Sequence, residues 1–168
     1  MRLSLKSPLV AALACLVSWS AAAQGPQREE IVRIPAAGGA TIIATVVRPP
    51  GEGRRPLAVI NHGSPVDSSQ RLKMERPHYP SLSSWFIARG YIVVLPERRG
   101  YGETGGTWAE DYGSCRSPDY FGAGLQGAAD IKATMDYMRG QPFVAADRTI
   151  VVGQSAGGWA TVAFWREE

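Results

Sequence analysis

Short, wholly apolar runs separated by segments of helical periodicity dominate the chain. Three such runs occupy residues 57–60, 91–95 and 149–152. Apolar residues at successive positions are typical of parallel strands whose two faces are both buried. Helical patterns follow the first two runs, near residues 80–89 and 121–139, and a third helix is expected from Ala156 to the end. Strands that alternate with helices predict an α/β fold, with a mostly parallel sheet covered by helices on both faces.

The region before these runs has a different pattern. Residues 29–35 alternate between polar and apolar side chains, and residues 41–47 are rich in β-branched ones. An Ala-Ala-Gly-Gly turn at 36–39 separates the two segments. This arrangement predicts an antiparallel hairpin that precedes the parallel strands. A Gly-rich loop is expected at about 100–118, and nothing indicates a second domain or an internal repeat.

The first 23 residues have the features of a secretory signal. Arg2 and Lys6 precede an apolar run at 9–19, and the alanines at 21–23 form a cleavage pattern before Gln24. The apolar run is shorter than the roughly 20 residues of a membrane span, which disfavours an uncleaved anchor. We therefore expect a cleaved signal peptide at 1–23, bacterial export to the periplasm or beyond, and no membrane span in the mature chain.

Composition and charge exclude two classes of protein. With 168 residues, of which 45% are hydrophobic, the chain is not a disordered tail. The net charge is +3, and it falls to +1 without Arg2 and Lys6. A charge so close to zero argues against a nucleic-acid binder that depends on phosphate attraction. Of Cys15 and Cys115 only the second lies beyond the signal, so the mature chain cannot form an intrachain disulfide; Cys115 is interpreted as an ordinary loop residue.

The strongest chemical motif follows the third apolar run. Gly153-Gln154-Ser155-Ala156-Gly157 is a G-x-S-x-G sequence between a buried strand and a helix, the context of a nucleophile elbow. A serine on so tight a turn exposes its hydroxyl, and the close backbone contact there requires glycine at 153 and 157. The alternative is a Gly-rich turn with an incidental serine. The context favours Ser155 as a nucleophile.

A second segment provides a backbone donor for the oxyanion that forms during acyl transfer. The first apolar run ends in Asn-His-Gly-Ser-Pro at 61–65. An oxyanion is stabilised by two fixed donors, and we assign them to the backbone amides of Ser64 and Ala156. Gly63 allows the chain to turn closely. We interpret His62 as an anchor of this loop rather than as a general base.

These residues resemble the α/β-hydrolase superfamily, especially its dienelactone-hydrolase-like members and the related exported esterases and peptidases. Residues 62–65 look like the H-G-x-P oxyanion loop of that superfamily. Residues 96–104 are similar to its P-D-x-R-G-x-G-x-S turn, with Glu97 in place of Asp and Thr104 in place of Ser. Residues 153–157 match the elbow. The three landmarks occur in the order of the superfamily.

The resemblance implies a fold and an activity. The strands would be the first five of eight, within a domain at 24–168. The implied reaction is hydrolysis of an ester, lactone or peptide bond in a small-molecule substrate, through an acyl-enzyme on Ser155 and without a cofactor or metal.

The chain order of the superfamily also predicts what is missing. An acid and then a histidine should follow the serine, but the thirteen residues after Ser155 contain neither His nor Asp. Their only carboxylates, Glu167 and Glu168, lie about three helical turns beyond Ser155. The other histidine, His78, precedes the first helix and is a weak candidate for the base. We therefore expect a domain truncated after the elbow and inactive by itself, with an open sheet edge that favours self-association.

Alternative interpretations concern the function of the whole chain, a glycine motif and two arginine pairs. A degenerate hydrolase domain that binds a ligand or partner, or a nonfunctional fragment, is the main alternative to an enzyme. Residues 100–105 also spell G-x-G-x-x-G, but a dinucleotide site requires that motif to open a helix, and no helical pattern follows. Two arginine pairs, at 54–55 and 98–99, are interpreted as solvated turn charges rather than a phosphate site.

Overall fold

The computed structural model describes residues 27–167. The predicted signal peptide, its cleavage position before Gln24 and Cys15 all lie outside the described residues, as does Glu168. Among the helices that are described, none combines the length and apolar character needed to cross a bilayer.

Seven strands and three α-helices form the described chain. The strands are β1 (Arg28–Pro35), β2 (Thr41–Arg48), β3 (Arg55–Asn61), β4 (Ile92–Glu97), β5 (Gly113–Ser114), β6 (Ser117–Pro118) and β7 (Val144–Gly153). The helices are α1 (Pro80–Ile87), α2 (Tyr120–Arg139) and α3 (Ala156–Glu167). A short 3₁₀ segment, Ser68–Lys73, lies between β3 and α1.

Five of the strands form one mixed sheet in the order β1-β2-β4-β3-β7. β1 and β2 form the predicted antiparallel hairpin, and β2 pairs antiparallel with β4. β4, β3 and β7 are parallel to one another. Each parallel connection includes a helix, which confirms the α/β prediction. Within the described part of the chain, β7 is an edge strand.

Alternating residues of the central strands enter two separate cores. Leu57 and Val59 of β3 face a core that α2 and α3 cover. Ala58 and Ile60 face the opposite core, which includes Phe86 of α1. The sheet therefore has helices on both faces, and this burial of both faces explains why the parallel strands are apolar at every position.

Most predicted boundaries differ from the observed ones by one or two residues, and three differences have a structural reason or content of their own. β4 continues through Pro96 to Glu97, because this end of the strand pairs with β2 alone and the missing proline N–H costs little there. β7 begins at Val144, five residues early, and its first residue pairs with Arg55 across a register shift. The Gly-rich loop contains the small β5–β6 hairpin, with Cys115 exposed in its turn.

The interpretation of Arg98 and Arg99 as solvated turn charges is wrong. The Arg98 side chain is fully buried; it forms a two-pronged ion pair with Glu110 and donates to the His62 carbonyl oxygen at 2.8 Å. Arg99 pairs with the buried carboxylate of Asp130. These partners come from distant parts of the chain, and they allow the Arg98 side chain to be buried and the Arg99 side chain to be mostly buried instead of facing water. Arg54 is exposed and donates to the Val144 carbonyl oxygen at 2.9 Å.

Candidate active site

Ser155 occupies the tight turn between β7 and α3. Its φ angle is +50°, and it is the one non-glycine residue with positive φ among those described. An L-residue in this left-handed region carries roughly 1–2 kcal/mol of strain. The turn is held by the Gln154 amide, which donates to the Asn61 carbonyl oxygen at 3.1 Å, and by the Gly157 amide, which donates to that of Gln154 at 2.9 Å. The Ser155 side chain is exposed.

The two glycines of the motif allow backbone segments to touch. A Cβ at Gly153 would overlap the backbone of Gly157, and a Cβ at Gly157 would overlap the carbonyl groups of Asn61 and His62. The loop after β3 therefore passes directly under the start of α3. Gly63 lies close as well, since a Cβ there would come within 3.2 Å of the Ser155 Cβ. The glycine spacing is thus a requirement of this packing.

The predicted oxyanion donors are close to Ser155. Ser64 and Ala156 both border the same cavity as Ser155. Within the described chain, neither backbone amide donates to another backbone group outside regular helices and strands. Ala156 is also the first residue of α3, where amides lack intrahelical partners and the helix dipole favours negative charge. Both amides are therefore available to an oxygen that develops negative charge.

The cavity in front of Ser155 has a volume of about 370 Å³. Four aromatic side chains form much of its wall: Trp108, Tyr112, Tyr120 and Trp159. Arg71 and the buried Glu110 supply the charged groups of its lining. A partly enclosed, largely aromatic cavity of this size suits a small organic substrate.

His62 is the anchor that the sequence predicts. It is buried, and the Arg98 backbone amide donates to its Nε2 at 3.2 Å. Its Nδ1 lies 2.8 Å from the Gly63 carbonyl oxygen, which only accepts, so Nδ1 carries the proton and the ring is neutral. Burial, helped by the charge of Arg98, lowers the pKa of His62 from 6.5 to about 3. Both ring nitrogens are engaged, and neither is free to take a proton from Ser155.

A proton acceptor for Ser155 is not found in the described chain. His78 borders a different cavity, together with Glu75, Arg76 and Glu103. Glu110 is the carboxylate that borders the cavity of Ser155, but its oxygens bind Arg98 and accept from the Tyr101 hydroxyl at 3.1 Å. Among the described residues, the site brings together Ser155 and the backbone amides of Ser64 and Ala156, and no base lies beside them.

A buried polar network under the cavity escaped the sequence analysis. The Trp108 indole N–H donates to the Tyr101 hydroxyl at 3.0 Å, and that hydroxyl donates to Glu110, the partner of Arg98. Burial, and then the charge of Glu110, raises the pKa of Tyr101. Arg98 and Tyr101 belong to the motif at 96–104, so the motif marked half of this network. Nothing in the spacing of Trp108 or Glu110 identified the other half.

The fold and the elbow define an α/β hydrolase, and a family comparison narrows this class. The model of the prolyl oligopeptidase family, peptidase S9, matches residues 77–168, more than half of the chain. The chain belongs to the prolyl oligopeptidase family. Dipeptidyl-peptidase 5 of Porphyromonas gingivalis is 35% identical over 77 residues, which are 46% of this chain and 10% of that protein.

Solved structures show the same fold at lower identity. A putative dipeptidyl aminopeptidase IV from Bacteroides ovatus superposes with a TM-score of 0.63 at 18% identity, covering 84% of this chain and 20% of that one. A dienelactone hydrolase-like promiscuous phosphotriesterase from metagenomic libraries superposes with a TM-score of 0.61 at 18% identity, and the match covers 85% of this chain and 55% of that one. An acetyl xylan esterase from Paenibacillus superposes with a TM-score of 0.56 at 20% identity, and the match covers 83% of this chain and 49% of that one. This chain therefore spans about half or less of the length of these relatives.

Proposed function

We propose that this chain carries the nucleophile and oxyanion site of a serine hydrolase that cleaves an ester, lactone or peptide bond in a small molecule. The observation that carries the proposal is Ser155, held at positive φ on the turn before α3 and open to a cavity that Ser64 and Ala156 share. Membership in the prolyl oligopeptidase family supports hydrolase chemistry.

The proposed reaction begins with attack of Ser155 Oγ on the substrate carbonyl carbon. The serine proton passes to a base, and the amides of Ser64 and Ala156 stabilise the resulting oxyanion. Collapse of that intermediate expels the alcohol or amine and leaves an acyl group on Ser155. No base lies beside Ser155 among the described residues, so we expect the chain by itself to hydrolyse activated aryl esters negligibly. In serine hydrolases, loss of a triad member leaves only about 10³- to 10⁴-fold acceleration over water.

Added imidazole provides a test that needs no residue beyond this chain. With 4-nitrophenyl butyrate and imidazole as an external base, Ser155 should take up one butyryl group, which peptide mapping would locate. Deacylation also needs a base, so rapid removal of imidazole should trap the adduct. Ser155→Ala should not be labelled, whereas Ser64→Ala should be, because the donor at 64 is the backbone amide. Equal labelling of the native chain and Ser155→Ala would refute the proposal.

A second candidate, a ligand-binding domain without catalysis, is favoured by one observation. Neither histidine of the sequence borders the cavity of Ser155. A chain that binds small esters in this cavity but never acylates Ser155, even with imidazole present, would support this candidate instead.

A further inference from the structure

Among the described residues, the guanidinium of Arg71 is the charged group of the Ser155 cavity that has no ion-pair partner. It lies over the Trp108 ring, 3.7 Å from the ring centroid, and both side chains border the cavity. Within the described residues, Arg71 has no carboxylate partner among the ion pairs. Glu110 borders the same space, but Arg98 neutralises it. The cavity therefore has a net positive charge.

The fold holds Arg71 in this position. The 3₁₀ segment that carries it is capped by Asp67, whose carboxylate accepts from the Ser69 amide at 2.8 Å. The Arg71 carbonyl oxygen also accepts from the Gly102 amide at 2.9 Å. The contact with Trp108 holds the guanidinium at the cavity wall, where its N–H groups can act as donors. A guanidinium arranged in this way suits bidentate recognition of a carboxylate.

We infer that Arg71 selects substrates that carry a carboxylate near the scissile bond, with an apolar or aromatic portion against the aromatic wall. This inference rests on the proposed function, because Ser155 defines the reacting end of the cavity. A substrate with a free amino group in the same place would be repelled by Arg71. The geometry thus favours acidic esters or acidic acyl groups over cationic substrates.

A binding experiment tests this preference without requiring turnover. The probes are 3-phenylpropionate, its neutral amide and 3-phenylpropylamine, titrated against the chain with Ser155→Ala as the background. Trp108 and Trp159 border the cavity, so indole fluorescence reports occupancy. We expect the carboxylate to bind roughly 10- to 100-fold more tightly than the amide, the size of one charge-assisted hydrogen bond. The amine should bind more weakly than the amide.

Variants separate recognition from structure. Arg71→Gln should abolish the preference for the carboxylate, whereas Arg71→Lys should keep part of it because the positive charge remains. Arg89→Gln is the matched control: Arg89 stacks on Trp85 at 3.6 Å in the same manner but does not border the cavity. Thermal unfolding of each variant shows whether it is folded. The preference should also weaken at high salt.

The outcomes for the inference and for the proposed function are distinct. Equal affinity for the carboxylate and the amide, no binding of either, or an unchanged preference in Arg71→Gln would overturn the role of Arg71, whatever the acylation result. Absence of acylation at Ser155 would overturn the hydrolase proposal and leave the binding result valid. If the stack on Trp108 were only structural, Arg71→Gln would lower stability without changing the ratio of the two affinities.

Discussion

At the scale of single residues, Arg98 connects the oxyanion loop to the floor of the cavity. Its guanidinium binds Glu110 and the His62 carbonyl oxygen, and its backbone amide binds the His62 ring. Removing one partner of such a buried pair typically costs about 3–5 kcal/mol, because the other charge stays buried and unpaired. Arg98 therefore fixes the position of the loop that carries Ser64, and it has no exposed group to offer a substrate.

His62 makes a measurable contribution to the pH dependence of stability. The pKa of His62 is about 3 in the folded chain, against an ordinary value of 6.5. Between these two pH values the unfolded chain binds a proton at His62 and the folded chain does not. Stability from this residue is complete above pH 6.5 and declines as the pH falls toward 3. At pH 4.5 we expect a loss of about 2.7 kcal/mol, since each pKa unit corresponds to about 1.36 kcal/mol.

His62→Asn isolates this effect. Asn lacks a titrating group, so the variant should be less stable at pH 7 but should lose less stability between pH 7 and 4.5. The measurement is urea unfolding at low protein concentration, followed by indole fluorescence. Burial raises the pKa of Glu97 and of Asp130. These two carboxyl groups therefore stabilise the fold at low pH, and that stabilisation is lost as the pH rises. Because both groups remain in the variant, parallel pH profiles for the two proteins would contradict the account of His62.

At the scale of elements, the elbow depends on close contact between the β3 loop and α3. Gly157 lies against the carbonyl groups of Asn61 and His62, which are backbone atoms with little room to move. We predict that Gly157→Ala will lower the free energy of unfolding by about 1–3 kcal/mol through overpacking. It should also reduce imidazole-dependent acylation of Ser155, because the loop that carries Ser64 must shift.

Gly140→Ala is the control for this substitution. Gly140 caps the C-terminus of α2 with φ of −74°, and a Cβ there would make an ordinary contact of 3.4 Å with the Tyr137 carbonyl oxygen. We expect its unfolding free energy to stay within about 0.5 kcal/mol of the native value. Similar stability and acylation in the native chain and Gly157→Ala would show that the motif glycine is not required.

Local patterns predicted the elements well because each is determined by its own residues. The hairpin of β1 and β2, the apolar strands and the start of α3 after Ser155 all follow from periodicity and turn residues. The cavity wall could not be predicted in this way. Arg98 is buried because it pairs with Glu110 and donates to the carbonyl oxygen of His62, which precedes Arg98 by 36 residues. The β5–β6 hairpin lies in a stretch whose glycines and polar residues carry no strand pattern.

At the scale of the whole molecule, the N-terminal segment carries the pattern from which we predict where the protein acts. We propose export with cleavage before Gln24, on the basis of the charged start, the apolar run and the alanines at 21–23. Intact-mass analysis of exported material should show an N-terminus at Gln24. Ala23→Arg should block cleavage, whereas Ala22→Arg should permit it, because only the first and third positions of the pattern need small residues. A product that retains residues 1–23 would contradict the proposal.

The two edges of the main sheet differ in how they are protected. β1 carries Arg28, Glu29, Glu30 and Arg33, and charged side chains discourage edge-to-edge pairing. β7 instead presents an apolar stretch at 150–152, and its outer side has no strand partner within the described residues. Ile150 on this strand is 38% exposed. β7 therefore offers an unprotected template for a second strand.

We predict that the isolated chain self-associates through β7. Size-exclusion chromatography with light scattering should show oligomers whose mass rises with protein concentration. Ile150→Lys should shift the distribution toward monomer, because a charge on the edge strand opposes pairing. Val162→Lys is the control: Val162 is 61% exposed on α3, so it tests whether the apolar helix surface drives association instead. A monodisperse, cooperatively unfolding monomer at high concentration would contradict the prediction, as would dissociation by Val162→Lys alone.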